Sequence, residues 1–182
     1  MTILILHGIE GHAGIHWQQW LHDRLSEKGH RVIMPELPKS DHPDRAEWLK
    51  TAQKTIEGID LKDLIIVGHS LGVVTALDLI EDSGKPIKAL ISISGFSEDY
   101  RVELNSYFLK KKMMNFDKIN LNLGNSFVFY GSDDPYVPQK ILKSLANSLK
   151  VQPKIFSNGG HFNTRAGYTT FPELLETIEK LK

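Results

Sequence analysis

The chain has 182 residues, 41% of them hydrophobic and 24% charged, a composition suited to a folded domain with one good core. Lys plus Arg and Asp plus Glu number 22 each, so the formal net charge is zero and no field implies nucleic acid or an anionic membrane as partner. Cysteine is absent, which excludes disulfides, thiolate metal sites and a thiol nucleophile and fits a cytoplasmic protein.

Residues 2–6 read as a first buried strand, too short and without the basic start of a secretory leader. A glycine-punctuated loop, His7-Gly8-Ile9-Glu10-Gly11, follows. Residues 16–28 place Trp17, Trp20, Leu21 and Leu25 on one helical face, and Gly29 is a helix stop. Residues 31–34 read as a second strand, left abruptly at Pro35, and 41–44 as a loop and cap for a helix over 45–57.

Leu64, Ile65, Ile66 and Val67 form an apolar run rich in β-branched residues, as expected of a strand covered on both faces. Gly68-His69-Ser70-Leu71-Gly72 comes next, and then Val73, Val74, Ala76, Leu77 and Ile80 recur at helical spacing to about 83–84. Beyond it, 87–94 reads as a strand and 95–125 as the least regular part. Then come a strand at 127–130, a loop at 131–138, an amphipathic helix at 139–149, a short strand at 154–156, a loop at 158–162 and a last helix at 172–181. No apolar run approaches the roughly 20 residues needed to cross a bilayer. The alternation predicts an α/β fold, a predominantly parallel sheet of about six strands with helices on both faces, over a single domain 1–182. Residues 96–118, with their aromatic and Met side chains, suit either the core or a small cap segment over a pocket.

Strand, G-x-S-x-G, helix is the context of a nucleophile elbow, with Ser70 as nucleophile. A serine hydroxyl needs a base, and the base needs an orienting acid. Among eight histidines, His161 follows a strand, sits in a Gly-Gly turn and precedes the last helix, which makes it the candidate base. The candidate acids are the adjacent Asp133 and Asp134, of which one at most should reach His161. Oxyanion donors are expected from the backbone of Leu71 and from Gly8 or Ile9 in the first loop. His7 and His69, beside that loop and the elbow, are candidates for substrate contact, and His69 also for support of the turn. His12 and His16 have the i, i+4 spacing of metal ligands, but no third ligand and no H-E-x-x-H motif accompany them, so no metal or other cofactor is expected.

Together, H-G-I-E-G, W-Q-Q-W-L, G-H-S-L-G, G-S-D-D-P-Y-V-P and G-G-H-F resemble the α/β-hydrolase superfamily and, within it, the compact serine hydrolases related to retinoblastoma-binding protein 9. The resemblance covers essentially the whole chain. It implies a reduced α/β-hydrolase sheet and a triad of Ser70, His161 and, by the G-x-x-D-x-x-V-P pattern, Asp134 rather than Asp133. The expected function is hydrolysis of small carboxylic esters, a small-molecule substrate being the expected partner. A protein-binding module on a hydrolase fold and an acyltransferase or thioesterase are the alternatives.

Overall fold

The structure is a computed structural model and describes residues 1–181. Six strands, β1 (Thr2–Leu6), β2 (Arg31–Ile33), β3 (Leu64–His69), β4 (Ile87–Ile93), β5 (Leu123–Gly131) and β6 (Lys154–Phe156), form one sheet in the order β2-β1-β3-β4-β5-β6. Every pairing is parallel. All the strand C-termini therefore face one rim, and the loops that leave them meet there.

Alternation along β3 explains the two cores. Leu64 and Ile66 face one side of the sheet, and Ile65 and Val67 the other. The first side carries α2 (Arg45–Thr55), α3 (Gly72–Asp82), α4 (Glu103–Leu109), α5 (Phe116–Leu121) and α6 (Gln139–Ser148). The second carries α1 (Gln18–Glu27) and α7 (Pro172–Glu179). Central strand β3 is buried at every residue, as its unbroken apolar run demands.

Three local expectations differ from the structure. Helix α1 starts at Gln18, because the chain turns through Gly14 (φ 82°) and a left-handed His16 (φ 61°) first. His12 and His16 are therefore not an i, i+4 pair on a helix. The irregular stretch 95–125 contains the two short helices α4 and α5. Strand β5 begins at Leu123 rather than 127, because Leu123 pairs with Ile87 and Asn125 with Ala89 on β4. The polar residues at its start are accepted because the ladder, not local propensity, decides there.

Candidate active site

The elbow sits at the C-terminal end of β3. Ser70 has φ 53°, a left-handed conformation that costs a non-glycine residue about 1–3 kcal/mol. Its N–H is held by the Ile93 carbonyl at 2.9 Å, and its carbonyl accepts from the Val73 N–H at 3.0 Å, so the surroundings hold the strained turn. Gly72 explains the second glycine of the motif. A Cβ there would lie 2.4 Å from the His7 carbonyl oxygen and 2.6 Å from that of Leu6. Only glycine lets α3 begin so close to the end of β1.

The loops after β5 and β6 join backbone to backbone. A Cβ on Gly131 would meet the Gly160 carbonyl oxygen at 2.4 Å, and one on Gly159 would meet the Gly131 Cα at 2.7 Å. This contact brings the two adjacent aspartates to the histidine loop, where they divide the work. The Nδ1–H of His161 donates to Oδ2 of Asp134 over 2.8 Å, and the Asp134 side chain has no exposed surface. The other oxygen of Asp134 accepts from the N–H groups of Tyr136 (2.9 Å) and Val137 (3.1 Å). Asp133 instead accepts the Gly160 N–H at 2.8 Å. With Nδ1 protonated, Nε2 of His161 keeps its lone pair and is the basic atom of the ring.

His69 and His7 are braces. The Nε2–H of His69 donates to the His161 carbonyl at 2.8 Å, tying the residue beside Ser70 to the histidine loop. Burial pushes the His69 pKa well below its ordinary value, aided by the nearby His161, so the neutral ring is the working form. His7 donates from Nδ1 to the Gly8 carbonyl at 2.8 Å and accepts the Leu37 N–H on Nε2 at 3.0 Å. Its side chain is fully buried edge-on to Trp48, and burial lowers its pKa as well. Expected at the substrate, His7 lies outside the cleft and holds the first loop in shape, whereas His69 does line the cleft.

These loops enclose a cleft of about 590 Å³, lined by Gly8, Ile9, Ser70, Tyr136 and His161 among others. Gly8 lies against the nucleophile candidate, where a Cβ would stand 3.0 Å from the Ser70 Cβ. Among the described residues, the N–H groups of Ile9 and Leu71 donate to no protein acceptor. The Leu71 side chain is fully buried in the α3-side core, which leaves only its backbone to serve the rim.

The sequence reading missed several lining residues. Tyr136 stands edge-on to the His161 ring at 5.1 Å. Asn163 and Arg165 reach the cleft from just beyond His161; Tyr100 and Asn105 also line it, from the segment 96–118 for which a cap over the pocket is one of the two expectations. No motif marks them, and only their closeness in sequence to Asp134 and His161 could have drawn attention to Tyr136, Asn163 and Arg165. His16 lines the cleft as well, and its pKa is lowered by burial and by the neighbouring His161 and His12.

The serine hydrolase family profile matches residues 3–180. The chain belongs to the serine hydrolase family. YdeN of Bacillus subtilis (strain 168), named as a hydrolase, is 25% identical over 181 residues, covering 97% of this chain and 93% of its own length. The serine hydrolase RBBP9 of Rattus norvegicus is 26% identical over 169 residues, covering 91% and 86%. The crystal structure of the B. subtilis ydeN gene product superposes with a TM-score of 0.91 at 23% identity, covering 99% of this chain and 97% of that one. An extracellular α/β-hydrolase from a Paenibacillus species superposes with a TM-score of 0.72 at 17% identity, covering 100% and 98%. The fold of this family member is the α/β-hydrolase fold.

Proposed function

We propose that the protein cleaves small carboxylic esters through a Ser70–His161–Asp134 triad and an acyl-enzyme. The observation that carries this reading is the 2.8 Å contact between His161 Nδ1 and the buried Asp134 carboxylate, in the cleft that also holds the strained Ser70.

Ser70 Oγ attacks the ester carbonyl while Nε2 of His161 takes its proton. The tetrahedral oxyanion is held by the N–H groups of Leu71 and Ile9, which have no other protein acceptor among the described residues. As the carbon–alkoxide bond breaks, His161 returns the proton to the leaving alcohol. Water, deprotonated by His161, then attacks the acyl-enzyme, and as the acyl–oxygen bond breaks His161 returns the proton to Ser70 Oγ, which releases the acid and restores the resting site. Asp134 stabilises the imidazolium in both halves and fixes the tautomer, its second oxygen being engaged by Tyr136 and Val137. No hydrogen bond joins Ser70 Oγ to the His161 ring among the described residues. Such bonds are often long before substrate arrives and tighten on it.

The test is turnover of a short p-nitrophenyl ester by the wild type and by Ser70→Ala. Loss of turnover in a folded Ser70→Ala protein is expected; retained turnover overturns the assignment.

A further inference from the structure

The two walls of the cleft differ in chemistry. On the α3 side, Ile9, Tyr100 and Val137 pack on the core, and Val102 and Leu104 line the cleft with them, so this wall is largely apolar apart from Asn105 and the Tyr100 hydroxyl to which it donates. His16, Asn163 and Arg165 line the cleft together, gathered at Thr164, which His16 bonds and which lies between the other two in sequence. Nδ1 of His16 accepts the Thr164 N–H at 3.2 Å and lies 3.0 Å from the Thr164 hydroxyl, which leaves the proton on Nε2. Asn163 uses its oxygen to accept the Ala166 N–H at 3.0 Å, leaving its amide NH₂. Among the described residues, Arg165 pairs with no carboxylate. This wall therefore offers donors and no free side-chain acceptor. The carboxylate that also lines the cleft, Glu10, hangs from a turn whose N–H is anchored by the Ser40 carbonyl, and it makes no ion pair with Arg165 among the described residues.

Resting on the proposed triad, we infer that the His16–Asn163–Arg165 wall binds a carboxylate carried by the alcohol portion of the ester, while the acyl chain lies along the apolar wall. The assignment of sides follows from the chemistry. His161 must protonate the departing alkoxide, so the alcohol portion leaves on the side of His161. Asn163 and Arg165 follow His161 by two and four residues and line the same cleft. The guanidinium can take a carboxylate in a bidentate pair, and His16 and Asn163 supply neutral donors beside it.

The test compares hydrolysis of 4-carboxyphenyl butyrate with that of its neutral near-isostere, 4-carbamoylphenyl butyrate, in the wild type, Arg165→Gln and Arg165→Glu. The wild-type ratio of kcat/KM, carboxylate over carboxamide, should exceed one and shrink with added salt. Arg165→Gln should lower that ratio about tenfold, the scale of a charge-assisted pair at a half-open site, and Arg165→Glu should take it below one. A wild-type ratio of one or less, or a ratio unmoved by both substitutions, overturns the inference and leaves the triad standing. No turnover of either ester, together with no labelling of Ser70 by a fluorophosphonate, overturns the hydrolase reading and this inference with it.

Discussion

His161 Nδ1 lies 2.8 Å from Oδ2 of Asp134, and the neighbouring Asp133 spends its carboxylate on the Gly160 N–H instead. Two adjacent acids thus serve one loop in different ways, one orienting the ring and the other fixing the backbone that carries it. Asp134→Asn keeps the bonds to Tyr136 and Val137 but loses the charge that stabilises the imidazolium. Under the proposed triad, kcat on a p-nitrophenyl ester should fall about 1,000-fold or more. Asp133→Asn keeps an acceptor for Gly160 and should stay within about threefold of wild type. Side-by-side steady-state kinetics check this, and the reverse ranking would make Asp133 the acid.

Gly72→Ala should destabilise the protein by about 3 kcal/mol or more, because the new Cβ has backbone carbonyls and not flexible side chains in its way. Gly58 has the positive φ (76°) that Gly72 lacks, but nothing stands within 4 Å of its added Cβ. Gly58→Ala should cost only about 1 kcal/mol. Urea denaturation of both variants distinguishes steric closeness from backbone strain; equal losses would contradict the elbow packing described here.

Arg45 and Asp78 form a bidentate pair buried between α2 and α3, with Arg45 Nε at 2.7 Å and one terminal nitrogen at 2.9 Å from the carboxylate. The other terminal nitrogen of Arg45 reaches the carbonyls of Phe108, Leu109 and Lys112 and so fastens the end of α4. Arg45→Met should cost about 3–5 kcal/mol, since it leaves a buried carboxylate with only Lys112 at 3.3 Å for compensation. Adding Asp78→Leu should restore part of that stability. If the double variant is no more stable than Arg45→Met in denaturant titrations, the cost of the stranded charge is misassigned.

The buried His7 and His69 give stability a pH dependence whose sign is fixed. Both have pKa values held below the ordinary 6.5, mainly by burial, so the unfolded chain takes up protons that the native state refuses. Stability is therefore full above pH 6.5 and falls as pH drops below it. The slope from these two rings approaches about 2.7 kcal/mol per pH unit once both are protonated only in the unfolded chain. Urea midpoints at pH 7.5, 6.5 and 5.5 should decline at the acid end; a flat profile over that range would show that the rings are not held neutral.

Much of this architecture was legible because local pattern and tertiary need agree. The run Leu64–Val67 is apolar at every position because β3 is covered on both faces, and the glycines beside Ser70 are demanded by backbone contacts a few ångströms away. The choice between Asp133 and Asp134 was not legible from the residues alone, since both leave the same strand and both bond to the same histidine loop. Helices α4 and α5 escaped notice because they are short and are fastened from outside, α4 by Arg45 at its end and α5 by Glu81, which accepts the N–H of its cap Asn115. Arg165 and Asn163 belong to no periodic pattern. Their place in the cleft depends on the turn that Asn163 caps and on the distant His16, which reaches Thr164.

The central claim is that Ser70 is a nucleophile activated by His161. Intact-protein and peptide mass spectrometry after exposure to a fluorophosphonate tests it most directly. One phosphonyl adduct per chain is expected, confined to Ser70, lost in Ser70→Ala and slowed at least about 100-fold in His161→Gln. An unmodified Ser70 in folded protein, or labelling that proceeds at the same rate without His161, would contradict it.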